Sequence, residues 1–295
     1  MTQAASDASA RAAAGGRPLT AGVAMLATAV AVNSLLVGGL LAAVSLTGHV
    51  FGAWPSPESL NPGLIGAAML GTAPGLFAVG RARYWEEVRT LLHPLAVVMV
   101  GLFTVTLLNA DGLYIAEGGP VLSVLFSLGW IFVLGLFCVW AVIALVLQHR
   151  VAAQQRGTAA APLPAWSKPP LAVLAVLGSA WLGIGTGLLI RPGFWADFVP
   201  WDTNRLDAQA LGVWALALGV GVLGALAEDD LARTRPALLA LPGTAATVTV
   251  VLAARAAHVD WTSGPALSLV CMVAGLLCAG ASGRFLLKRS TALRG

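Results

Sequence analysis

The sequence predicts an all-α polytopic membrane protein, with eight transmembrane helices arranged as two parallel four-helix repeats and both termini cytoplasmic. Three observations lead there. Long apolar runs recur eight times, Lys and Arg gather on one side of them, and a short aromatic motif in the first half returns in the second.

The chain of 295 residues is 58% hydrophobic and 10% charged, with a mean hydropathy of +0.85. Soluble domains are about 45–50% apolar and about 25% charged. About 20 apolar residues cross the hydrocarbon core as a helix, the form in which a backbone satisfies its own hydrogen bonds in lipid.

Residues 1–18, "MTQAASDASARAAAGGRP", carry no apolar periodicity and read as a disordered tail. The run at 19–47 is too long for a signal-peptide core and no small-residue cleavage site follows it, so it reads as the first helix. Runs at 62–80, 91–110 and 120–148 complete a first unit spanning 19–148. The runs at 19–47 and 120–148 exceed the bilayer, implying tilt or extension beyond it. Residues 149–168 form an Ala/Pro-rich linker, and runs at 169–190, 208–227, 237–257 and 264–283 make a second unit over 169–287. A basic tail, 288–295, ends the chain. None of the runs alternates as barrel strands do.

Of 17 Lys and Arg residues, only Arg191, Arg205 and Arg255 fall outside when the N-terminus is placed inside. This is a strong positive-inside bias, and it puts both termini on the cytoplasmic side. The pI near 9.4 follows from the same bias. No basic, aromatic-interleaved soluble segment is present to bind nucleic acid.

"FGAW" at 51–54 and "FVPW" at 198–201 each follow the first helix of a unit and precede a polar turn. "YWEEVRTLLHP" (84–94) and "EDDLARTRP" (228–236) match in the same order, about 145 residues apart. An even number of helices per unit makes the repeat parallel. The densest polar stretch, "FVPWDTNRLDAQALGVW" (198–214), is therefore expected as an outer loop that meets the loop at 48–61 near a pseudo-twofold axis.

Asp111, Asp202 and Asp260 lie on the outer side beside Trp54, Trp201 and Trp261. An aromatic belt with solvated loop charges explains each residue singly. Together they suggest an acid-rimmed aromatic pocket, in which a carboxyl losing hydration against indole becomes a proton donor. Trp181 and Trp214 lie within helices, where indole faces can stabilise a cation. Arg255 falls inside a hydrophobic run, with Asp202 and Asp260 as its natural partners. Gly183 and Gly187 have GxxxG spacing, and four glycines, Gly212, Gly219, Gly221 and Gly224, line one helix, implying close helix contacts. Cys138, Cys271 and Cys278 read as small apolar residues. "EDDLAR" lacks the spacing of an Asp-rich diphosphate motif, and neither a metal nor a cofactor is expected.

Residues 198–241, with a tryptophan-bearing turn, a Leu/Gly/Ala helix and an acidic-Arg exit, resemble uncharacterised multi-pass proteins of actinobacteria. The small, all-helical, tryptophan-rich architecture with acids at helix ends is similar to the bacterial integral-membrane terpene cyclases of indole-sesquiterpenoid pathways. No catalytic motif matches residue by residue, so no family site is carried over. That resemblance implies a metal-independent cyclisation of a linear terpenoid or prenylated aromatic. It would start by protonation from Asp202, Asp260 or Asp111, with Trp54, Trp201, Trp261, Trp181 and Trp214 about the substrate. The alternatives are a transporter, or a transporter's membrane subunit, for a lipophilic cargo, and a non-catalytic membrane scaffold. In each case the partners are the bilayer and a hydrophobic small molecule.

Overall fold

A computed structural model describes residues 16–151, 168–228 and 231–292. The expected linker lies almost wholly outside the described residues, as do residues 1–15 of the tail and Asp229 and Asp230.

Among the described residues, eight helices are long and apolar enough to cross a membrane. They are α1 (Ala21–Leu46), α2 (Leu60–Val79), α3 (Arg89–Leu108), α4 (Val121–Arg150), α5 (Lys168–Ile190), α6 (Arg205–Leu226), α7 (Arg235–Ala254) and α8 (Gly264–Ala292). No strand occurs among the described residues beyond a single bridge between Pro18 and Tyr84. That bridge, with Leu19 N–H donating to the Arg83 carbonyl and Trp85 N–H to that of Arg17, ties down residues that composition had assigned to the disordered tail.

Helices α3, α6 and α7 begin two or three residues before their apolar runs, each at an arginine. A hydropathy window trims such residues, whereas a helix keeps them. At the far end α8 runs on through Lys288 to Ala292, into the expected tail.

Helix α2 is the centre of the bundle, with 72% of its apolar window buried, and α6 follows at 61%. On the periphery α4 has 28% buried and turns Leu122, Leu125, Phe132 and Leu136 outward. A central helix needs small residues because neighbours press on every side. An added Cβ at Gly66 would meet the Gly38 carbonyl and the Ala42 nitrogen of α1. One at Gly71 would meet the Thr244 and Gly243 backbone of α7. In α6, Gly212 and Gly219 face Gly185 and Gly178 of α5. The α5–α6 seam therefore uses the seven-residue spacing of these two glycine pairs. Gly183 of the GxxxG pair has no neighbour within 4 Å, Gly187 packs on Trp195, and Gly224 is open, which corrects the seam read from spacing alone. Spacing shows which glycines share a face, and tertiary packing decides which face is covered.

Helix pairing follows one scheme in both halves. In the first, α1 packs on α2 and α4, and α3 on α4. In the second, α5 packs on α6 and α8, and α7 on α8. Across the middle α2 meets α7, α3 meets α6, and α2 meets α6. Thr247 of α7 bridges this boundary by donating its hydroxyl to the Ala67 carbonyl of α2 at 2.6 Å, a bond between helices that lipid cannot replace.

Candidate functional site

Three places hold the polar and cavity-forming residues: the bundle end around Trp54 and Asp207, the apolar interior beneath it, and the opposite end around Arg89.

At the first end, α6 starts where Asn204 caps it. The Asn204 side-chain oxygen accepts the Asp207 N–H at 2.8 Å, the usual bond from N-cap to third helical residue. The carboxylate of Asp207 thus stands in the first turn, where the helix dipole favours a negative charge. Its side chain is fully buried. Oδ1 accepts from Trp54 Nε1 at 2.7 Å and from Ser56 Oγ at 2.7 Å, and Oδ2 accepts from Asn61 Nδ2 at 3.1 Å. Trp201 donates to Asn61 Oδ1 at 2.7 Å. An indole N–H can only donate, so it sets the orientation of the Asn61 carboxamide.

The two aromatic motifs are joined reciprocally by these bonds. Trp54 of "FGAW" reaches the start of α6, and Trp201 of "FVPW" reaches the start of α2. Asn204 Nδ2 donates to the Pro55 carbonyl at 2.8 Å, so residues 54–61 meet residues 201–207, each segment a loop running into the first turn of its helix. Beside this clamp Asn109 donates to Gln209 Oε1 at 2.9 Å, and Gln209 donates to the Leu189 carbonyl at 3.2 Å, joining α3, α6 and α5.

Asp111, Asp202 and Asp260 are all exposed at this end. Asp260 accepts from Thr262 of its own loop, and its N–H donates to the Pro200 carbonyl at 2.9 Å, so the 200–201 and 259–261 segments touch. Asp202 engages Asn61 through its backbone carbonyl. Asp111 sits in the turn after α3, where Asn109 makes the crossing contact. The carboxyl held against indole is therefore Asp207, which hydropathy had set just outside the sixth helix. One sequence signal marks it: Asn204 and Asp207 have the spacing of a capping residue and an acid at the third helical position.

Arg255 caps the end of α7, just beyond the helix, and donates from Nη2 to His258 Nε2 at 2.6 Å. His258 Nδ1 lies 3.1 Å from Glu58 Oε2. The expected partners Asp202 and Asp260 are replaced by this relay. Gly48, at φ 85, leaves room for the guanidinium where a Cβ would strike Nη1.

In the interior, α1 contains a π-helical turn at Ser34–Gly38. Such a turn widens the helix and is often found at a functional position. It borders an apolar cavity of about 300 Å³ lined by α1–α4 and by Trp214 of α6. Trp130 lines it too, with its N–H donated to Thr106 Oγ1 at 3.2 Å. A groove of about 660 Å³ runs along the outer face of α1 past Met25, Thr28, Val32 and Leu36, and Asn33 borders both spaces. A third space, about 50 Å³, lies where α2, α3, α6 and α7 meet, and shares Trp214 and Thr72 with the larger cavity. Neither of these two interior spaces is lined by an ionisable side chain among the described residues. Of the tryptophans expected about a substrate, Trp214 is the one at the cavity. Trp181 belongs to the core of the second half, Trp54 and Trp201 to the clamp, and Trp261 is 45% exposed.

At the opposite end, Arg89 grips the buried Glu228 carboxylate with Nε and Nη2, a two-pronged bond joining the start of α3 to the chain just after α6. Trp85, His93 and His149 cluster beside it, with the two imidazoles stacked 6.3 Å apart. Glu86 accepts from the Arg17 N–H at 3.0 Å. Glu87 is held above its ordinary value of 4.5, by burial first and by the Glu86 charge second, against a backbone N–H bond and nearby arginines that lower it. The folded carboxyl keeps its proton to higher pH than the unfolded one, so stability falls as pH rises from 4.5. Glu87→Gln is expected to flatten that fall while leaving stability below pH 4.5 unchanged, as read by thermal melts across pH.

The chain matches no protein-family model, no curated protein and no solved structure.

Proposed function

We propose that this chain takes a lipophilic molecule sideways from the bilayer and holds it for transfer across or along the membrane. The observation that carries this is the 300 Å³ apolar cavity, bordered through Asn33 by a groove on the outer face of α1. The cavity volume is at the small end of ligand pockets, which run from about 300 to 1,000 Å³. A cavity without ionisable lining suits an uncharged guest, because a buried charge without a partner is costly. In this reading the protein is a duplicated four-helix unit with both termini cytoplasmic. The reciprocal Trp54 and Trp201 bonds, the matched helix pairing and the distribution of Lys and Arg support that arrangement.

The test is binding of the apolar fluorophore N-phenyl-1-naphthylamine to purified protein, read by energy transfer from tryptophan. Val98→Phe fills the cavity from a residue bordering both interior spaces. Gly129→Phe blocks its margin at a site where an added Cβ meets nothing within 4 Å. Both variants are expected to lower transfer at least about fivefold with cooperative melting retained, since one lost apolar contact surface is worth roughly 1–3 kcal/mol. Unchanged transfer in both would show that the dye binds elsewhere and would remove the basis of the proposal.

A cyclase is the second reading, and it rests on a different observation. The Asp207 carboxyl bonds Trp54, whose ring lies edge-on to Trp130 with centroids 5.9 Å apart, and Trp130 lines the cavity. A proton from Asp207 would have to pass the Trp54–Trp130 pair to reach a guest, which is why binding is preferred to turnover.

A further inference from the structure

Asn33 and Ser34 stand at the middle of α1, where its π-helical turn begins, and both line the large cavity. Neither side chain makes a hydrogen bond among the described residues. Ser34 is 3% exposed and Asn33 is half-buried. The indole nitrogens of Trp181 and Trp214 and the Thr244 hydroxyl are also unpaired, but they are sealed in the packing; the polar atoms of Asn33 and Ser34 keep accessible surface. The spaces they border are the cavity and, for Asn33, the α1 groove as well. At the middle of a spanning helix there is no bulk water to pair with, so an idle carboxamide and hydroxyl there are costly unless something else bonds them.

Thr72 of α2 completes the polar lining. Gly38 packs on Met69 and Gly80 on Thr28, which brings Thr72 level with Ser34 to within about one helical turn. Thr72 donates its hydroxyl to the Met69 carbonyl at 2.9 Å, so toward the cavity it can only accept. Ser34 can donate or accept, and the Asn33 carboxamide does both. Elsewhere on the wall the Trp130 N–H is taken by Thr106 and the Trp214 nitrogen is sealed. A guest that only accepts would leave Thr72 and the Asn33 oxygen idle. A hydroxyl has one proton to give and two lone pairs to offer, which suits a mixed set of this kind. A charged head is excluded, because no ionisable side chain lines the cavity or the groove among the described residues. On the reading that the cavity holds a lipophile, we infer that its ligand is a neutral alcohol. Its apolar body lies among Leu95, Val98, Met99 and Leu102, and its hydroxyl sits at Asn33, Ser34 and Thr72, where cavity and groove adjoin. Long-chain and cyclic alcohols share this chemistry; ketones and esters supply half of it, and carboxylates and phosphates add a charge.

The experiment titrates 1-tetralol, 1-tetralone and tetralin, which share a bicyclic body and differ in the oxygen, into detergent-solubilised protein. Wild type is compared with Asn33→Leu, Ser34→Ala and Thr72→Val, each probe against itself, so that partition into detergent cancels. All three variants are expected to bind 1-tetralol about tenfold more weakly, the loss of one buried hydrogen bond, with tetralin affinity unchanged. Retained tetralin binding also reports that a variant is folded and its cavity intact. Thr72→Val removes only an acceptor from the cavity side, so it is expected to leave 1-tetralone affinity as it was. An equal loss of alcohol and ketone in Thr72→Val would overturn the hydroxyl assignment. Unchanged 1-tetralol affinity in all three variants would overturn the inference and mean that water or a second copy of the chain bonds Asn33 and Ser34. A dimer lost in Asn33→Leu, read by light scattering, would identify the second copy. The cavity reading would survive those results. Failure of wild type to bind any of the three probes would overturn the cavity reading itself, and the inference with it.

Discussion

Replacing Asp207 by alanine is expected to destabilise the protein by about 2–4 kcal/mol, with the loss falling on the contact between the two halves. The Asp207 carboxylate is what Trp54 Nε1 donates to, and Trp54 is only 6% exposed, so the orphaned N–H has little water to turn to. Ser56 is less buried and can rebond to solvent, and Asn61 keeps the Asp202 carbonyl. The cost is therefore dominated by one indole. Asp207→Asn separates acidity from packing. Its single acceptor oxygen can still serve Trp54, but its amide would then face the Asn61 amide, donor against donor. Asn61 escapes that clash only by turning its own oxygen away from Trp201. About 1–2 kcal/mol is expected, roughly half the cost of the alanine change. Chemical or thermal unfolding in detergent checks both figures. A terpenoid product formed by wild-type membranes and lost in Asp207→Asn, with the fold retained, would move the function to the cyclase reading. Preserved lipophile binding in the same variant agrees with a purely structural clamp.

Gly71→Leu is expected to cost about 3 kcal/mol or more and to part α2 from α7. An added Cβ at Gly71 would fall on the Thr244 and Gly243 backbone, and one at Gly243 on the Gly71 carbonyl. Flexible side-chain ends can give way, whereas helix backbones must move as bodies, so this overlap is at the severe end of overpacking. The shift would also break the Thr247 bond to Ala67. Gly183→Leu is the matched control. No atom lies within 4 Å of its added Cβ, and stability is expected to stay within about 0.5 kcal/mol of wild type. Equal losses at the two positions would mean that Gly183 is covered by something the bundle lacks, such as a second copy.

The contrast between these two glycines shows how far the sequence reaches. Gly183 and Gly187 carry the familiar packing spacing and Gly71 does not stand out, yet Gly71 is where two helices meet backbone to backbone. Asp207 and Asp202 look alike as loop acids five residues apart, and one is fully buried while the other faces solvent. The difference lies in partners distant in the chain: Trp54 and Asn61 are 153 and 146 residues away from Asp207. Arg255 likewise was matched to acids by charge, and found a histidine by proximity.

The sequence by itself determined the eight helices and the whole of the helical class. Transfer of an apolar run into hydrocarbon, and the need to close every backbone hydrogen bond there, are local properties that act on about 20 residues at a time. It also marked the polar stretch at 198–214 and the loop that meets it, because a repeated motif is visible without coordinates. Only the tertiary structure decided which acid is buried, which glycines are seams and where the cavity lies. Those outcomes depend on which face of each helix is covered and by what, and that is set by packing among helices far apart in the chain.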